Sequence, residues 1–149
     1  MKERIFKIFM IMSLAIVSLV GISSEQVDAA SSNGYDYVNG SCRVKVWTDY
    51  YRYTSKASTV DAWATNSGCG KLYYKMKIVD QWGHSASSQS FSGYFSSQTP
   101  VKSFDIDLIR DYDDPLGDSD AYMVEIYLYA DSAYTKYLGL ANTNIIVEK

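Results

Sequence analysis

Two short alternating runs hold the side chains best suited to bind something. Arg43, Lys45 and Trp47 share one parity in the first run, and Tyr73, Lys75 and Lys77 share one parity in another. Successive side chains of an extended chain point to opposite faces, so each triplet lies on one face of a strand. The cations attract anionic groups, and the rings offer flat contact area at little entropic cost. If the two strands share a sheet, the six residues form one basic, aromatic face. Such a face suits an anionic wall polymer, an acidic glycan, anionic lipid headgroups or another protein. The competing reading is cross-strand pairing that only stabilises an exposed sheet.

A second cluster is acidic. Asp111, Asp113, Asp114, Asp118 and Asp120 place five carboxylates in ten residues. Calcium takes several oxygen ligands from flexible acidic loops. The spacing departs from the helix-flanked calcium loop, however, because Leu116 stands where its Gly belongs and no Glu closes it. The segment reads first as a solvated turn and second as a calcium site.

Catalytic chemistry finds little to work with. His84 is the only histidine, and it sits in a Gly-His-Ser turn without a nucleophile elbow. Asp105 or Asp107 facing Glu125 across strands is the one carboxylate pair that suggests glycoside hydrolysis. Carboxylates on an exposed strand face more commonly serve as solvating groups. The chain reads as a non-enzyme, with calcium the sole cofactor that the residues suggest.

Cys42 and Cys69 are the only thiols. One histidine and two cysteines do not complete a zinc shell. In an exported chain a disulfide is the default, and closing this loop stabilises a fold by about 3–4 kcal/mol.

Export is indicated by the first 29 residues. Lys2, Arg4 and Lys7 precede an uncharged, largely apolar stretch from Ile8 to Ile22, and Val27 and Ala29 form a small-residue cleavage pattern. That stretch has 15 residues, short of the roughly 20 needed to span a bilayer. The expectation is a cleaved signal over 1–29 and one secreted domain over 30–149, without a stable membrane anchor. The net charge is −3, too small to imply a nucleic-acid partner. Charge is nonetheless uneven: residues 43–77 carry seven basic and two acidic groups, and 78–149 carry four and eleven.

All fourteen tyrosines fall after the signal, and with Val, Thr and Ser they make a β composition. Alternation predicts about seven strands, near 41–53, 58–65, 71–79, 89–96, 101–109, 121–130 and 135–147. Strands with one apolar face must pack face to face or close on themselves. An antiparallel sandwich of immunoglobulin-like architecture is the first expectation and a small barrel the second. The bridge would then tie together the starts of the first and third strands.

These readings imply a secreted, non-catalytic binding module. The alternative is a secreted antimicrobial or membrane-active toxin. Its motive is the Ser-rich stretch 85–97, where Phe91, Tyr94 and Phe95 alternate with small polar residues as in a pore hairpin.

Overall fold

A computed structural model of the chain describes residues 36–111 and 121–148. The expected signal and most of the acidic segment lie outside these residues. The elements are β1 (Asp36–Asn39), β2 (Cys42–Thr48), β3 (Arg52–Tyr53), β4 (Thr59–Ser67), β5 (Leu72–Asp80), β6 (Ser85–Phe95) and β7 (Lys102–Asp105). A short helix α1 (Asp107–Arg110), β8 (Ala121–Tyr129) and β9 (Tyr137–Val147) follow.

The strands form two sheets, in the orders β1-β2-β4-β7 and β3-β9-β8-β5-β6. Every pairing is antiparallel except the two-residue parallel match of β3 with β9. The arrangement is an open sandwich and not a barrel. Period-two alternation produces it directly. Val44, Val46, Ala62 and Ala64 of one sheet, and Met76, Ile78, Val124 and Ile126 of the other, are all at most 1% exposed. Removing that apolar area from water is the main force holding the layers together. Phe91 of β6 meets Phe104 of β7 edge to face at 4.9 Å, which closes one side between the sheets.

Two expected strands are corrected by local hydrogen bonding. The first breaks after Thr48, whose hydroxyl donates to the Tyr50 carbonyl at 2.7 Å; the chain then crosses to the other sheet as β3. The fifth ends at Asp105, whose carboxylate accepts the Asp107 N–H at 3.0 Å and starts α1. An Asp side chain competing for backbone donors favours such a turn over a ladder. Ile109 is therefore buried, while Leu108 is 38% exposed. The fourth expected strand starts four residues earlier than read, and forms β6 over Ser85–Phe95.

Cys42 and Cys69 are bridged across a sequence separation of 27 residues. Cys42 is the first residue of β2, and Cys69 stands in the turn between β4 and β5, three residues before the start of β5. Arg43 lies opposite Ser67, so the bridge fastens the start of β2 to the turn that follows its neighbour β4. The intervening Gly68 has φ +74°, and a Cβ there would stand 2.6 Å from the Ser41 carbonyl oxygen. This tight turn sends β5 into the opposite sheet.

Candidate ligand-binding surface

The crossover at Gly68 divides the six candidate residues. Arg43, Lys45 and Trp47 lie on the outer face of the four-stranded sheet, and Tyr73, Lys75 and Lys77 on the outer face of the five-stranded sheet. Their outward parity is as read from the sequence, but they do not make one face. The condition that β2 and β5 share a sheet is not met, because Gly68 and Gly70 let the chain change layers.

On the four-stranded sheet, Trp47 lies opposite Trp63. Their rings are nearly parallel, 8° apart, with centroids at 6.5 Å. The Trp47 indole N–H donates to Thr65 Oγ1 at 3.0 Å, and Lys45 Nζ stands 4.2 Å from the Trp47 ring centre. Lys45, Trp47, Trp63 and Thr65 are half-buried, and Arg43 is exposed.

On the five-stranded sheet more aromatic rings gather. Register brings Tyr94, Tyr73, Tyr129 and Tyr137 into one row across β6, β5, β8 and β9. Tyr134, from the β8–β9 turn, joins them. Ring centroids follow one another at 6.1 Å (Tyr94–Tyr73), 6.5 Å (Tyr73–Tyr134), 5.5 Å (Tyr134–Tyr129) and 5.9 Å (Tyr129–Tyr137). Lysines interleave with these rings. Lys71 Nζ is 4.0 Å from the Tyr94 centre, Lys75 is 4.8 Å from Tyr134, and Lys77 is 5.1 Å from Tyr127. Each such contact is worth about 0.5–1 kcal/mol at an exposed site, enough to order an ammonium without neutralising it. Tyr94 and Tyr137 remain 62% and 57% exposed, so the platform is open to a ligand.

Tyr134 is held in an unusual backbone conformation, φ +56°. Asp131 holds it there. Its carboxylate accepts the N–H groups of Thr135 and Lys136 at 3.0 and 2.8 Å and the Thr135 hydroxyl at 2.6 Å. The hydroxyl bond first, and the Lys136 N–H next, hold the Asp131 carboxyl below its ordinary range. A non-glycine residue at positive φ costs about 1–2 kcal/mol, and here it places a ring against Tyr73 and Tyr129.

One row further along β5 and β8, Lys77 lies opposite Glu125, which is only 6% exposed. The Tyr127 hydroxyl donates to Glu125 Oε2 at 2.7 Å. Burial first, and then this bond to a carboxylate, push the Tyr127 phenol up to about 12.

The remaining candidates are scattered. Asp105 is on β7 of the four-stranded sheet and Asp107 on α1, so neither faces Glu125, which belongs to the outer face of the other sheet. His84 Nδ1 lies 3.0 Å from Asp80 Oδ2, and Asp80 Oδ1 accepts the N–H groups of Trp82 and His84; the group builds the β5–β6 turn. Phe91 packs on the core and Phe95 is 3% exposed, so the toxin reading loses two of its three lipid-facing residues. Asp111 caps α1 with its N–H on the Asp107 carbonyl. Asp113, Asp114, Asp118 and Asp120 lie outside the described residues. Among the described residues, no three His, Cys, Asp or Glu side chains gather as for a metal ion, and no helix is long and apolar enough to cross a membrane.

Lys71, Tyr94, Tyr127, Tyr129, Tyr134 and Tyr137 are the members of the face that the sequence reading missed. The outward parity of Tyr127 and Tyr129 in β8 was available to find two of them. Tyr134 had no periodic signal, because a turn places it.

The described residues form an open two-sheet sandwich whose outer faces carry aromatic rings and lysines. The chain belongs to the YqgA MG2 macroglobulin domain family, whose pattern matches residues 28–149. It is 43% identical over 107 residues to the cell wall-binding protein YqgA of Bacillus subtilis (strain 168), a match covering 70% of this chain and 74% of that protein.

Proposed function

We propose that the domain is exported through the cleaved segment 1–29 and attaches to an anionic polymer of the bacterial wall. Its outer five-stranded face is the contact surface. The observation that carries this reading is the unbroken series of five tyrosine rings interleaved with Lys71, Lys75 and Lys77. Sugar rings lie against the tyrosines, and phosphate or carboxylate groups meet the ordered ammoniums. Attraction of this kind is screened over about 8 Å at physiological ionic strength. The relative in Bacillus subtilis is named for binding the cell wall, which supports the same target here.

Retention on purified walls, with and without acid extraction of their phosphate-bearing polymer, is the test. The intact protein should bind unextracted walls with micromolar or weaker affinity and elute as salt rises. Lys75→Glu with Lys77→Glu should abolish retention, whereas Arg43→Glu with Lys45→Glu should largely preserve it. Equal retention of all three proteins would overturn the assignment. Loss only in the Arg43/Lys45 variant would move the site to the Trp47–Trp63 face.

A further inference from the structure

The outer five-stranded face does not end at Glu125. Beyond it the register runs through Glu125–Asn142 to Met123–Asn144 and Ala121–Ile146. There the surface dips into a pocket of about 330 Å³, at the small end of the ~300–1,000 Å³ typical of ligand sites. Its walls include Met123, Asn144, Ala121 and Ile146 from β8 and β9, with Tyr51 and Gln81 from flanking turns. Both flanks are anchored. The Tyr51 carbonyl accepts the Ile146 N–H at 2.8 Å, yet Tyr51 stays 39% exposed. Gln81 belongs to the turn that Asp80 organises, next to Trp82, which is 65% exposed.

The chemistry of this pocket differs from that of the tyrosine–lysine end. Among the described residues, none that lines it is charged, so an anion gains no counter-charge from them. Asn144 and Gln81 each bring an amide donor and an amide acceptor. Met123, Ala121 and Ile146 bring apolar surface, and Tyr51 brings an aromatic ring. An acetamido group asks for that set. Its methyl needs apolar contact, and its N–H and C=O need an acceptor and a donor, while the pyranose bearing it offers a C–H face to a ring.

We propose that this pocket is a subsite for one uncharged N-acetylated hexosamine residue. It deepens the wall-polymer reading, on which it rests for the source of the sugar. Tyr129 lies six positions along β8 from Met123, or roughly 20 Å of strand. A glycan lying along the sheet can therefore engage the pocket while its anionic groups meet the lysines.

The test is titration of the full protein with chitotetraose, and in parallel with cellotetraose, followed by NMR of the Trp82 indole and the Asn144 side-chain amide. Chitotetraose should shift both signals saturably, with an affinity unchanged by roughly 0.5 M salt, where charge effects are screened within a few ångströms. Cellotetraose should bind at least about tenfold more weakly, as should chitotetraose to the Asn144→Ala variant, the loss expected for one well-placed hydrogen bond. The Asn144 side chain is exposed, so the variant should fold, and its circular dichroism checks this. No saturable shift, equal response to the two sugars, or unchanged affinity of the folded variant would each overturn the subsite. If chitotetraose binds but Lys75→Glu with Lys77→Glu leaves wall retention intact, the subsite stands and the anionic-polymer reading fails.

Discussion

The Tyr127 hydroxyl donates to Glu125 Oε2 across 2.7 Å, while Lys77 stands over the same tyrosine ring and opposite the same glutamate. One buried carboxylate thus offsets part of the positive charge that the face presents. Glu125→Gln keeps the shape and an acceptor for Tyr127 but removes that charge. We expect it to tighten binding to anionic polymer by about two- to fivefold at low salt, or roughly 0.4–1 kcal/mol. The gain should fade as salt rises. Calorimetric titration at two salt concentrations measures both effects, and an unchanged affinity would place the ligand's charge away from Lys77.

Alkaline stability follows from two phenols. Burial and the Glu125 bond push Tyr127 up to about 12. Burial first, and then the bond to Asp49 at 2.5 Å, hold Tyr53 far above its ordinary range. The unfolded chain loses these protons near pH 10, before the folded chain does. Their contribution is therefore complete below about pH 10 and lost as pH rises toward and past the folded values. Denaturant unfolding across that window should show falling stability, less steep in Tyr127→Phe. A flat profile would contradict the assignment.

Tyr53 also ties β3 to the end of β2, because Asp49 Oδ1 accepts both its hydroxyl and the Asp61 N–H, the latter at 3.1 Å. Tyr53→Phe should cost about 1 kcal/mol, the net contribution of a typical intramolecular hydrogen bond. Urea unfolding at neutral pH reads this directly.

Tyr134→Gly separates binding from stability. Glycine removes a positive-φ cost of about 1–2 kcal/mol and loses ring contacts worth about 0.5–1.5 kcal/mol each. These terms offset, so Tm should change little. Wall retention should fall, because the ring linking Tyr73 to Tyr129 is gone. A variant that binds as before would show that the strained turn serves the fold alone.

The bridge and its turn give the last expectation. Replacing Cys42 and Cys69 by Ala should cost about 3–4 kcal/mol in the chain-entropy model. Gly68→Ala should also destabilise, since its Cβ meets the Ser41 carbonyl oxygen at 2.6 Å. A comparison of Tm values for the two variants and the parent, oxidised and reduced, tests both.

Strand parity was legible in the sequence because the side-chain period of an extended chain is a local property. Val44, Lys45 and Val46, or Tyr74, Lys75 and Met76, declare their faces without reference to any distant residue. The sandwich and the bridge were legible for related reasons: one-sided strands must be covered, and two lone thiols in an exported chain meet. Which strands share a sheet was not legible. Whether β5 continues the sheet of β2 or crosses to the opposite layer depends on a turn at Gly68 and on register with β8, more than forty residues later. Strand pairing is a long-range choice made by packing, and no local pattern records it. Tertiary structure alone therefore divided Arg43, Lys45 and Trp47 from Tyr73, Lys75 and Lys77. It also brought Tyr94, Tyr129, Tyr134 and Tyr137 to the second group, joining residues of three strands and a turn into one surface.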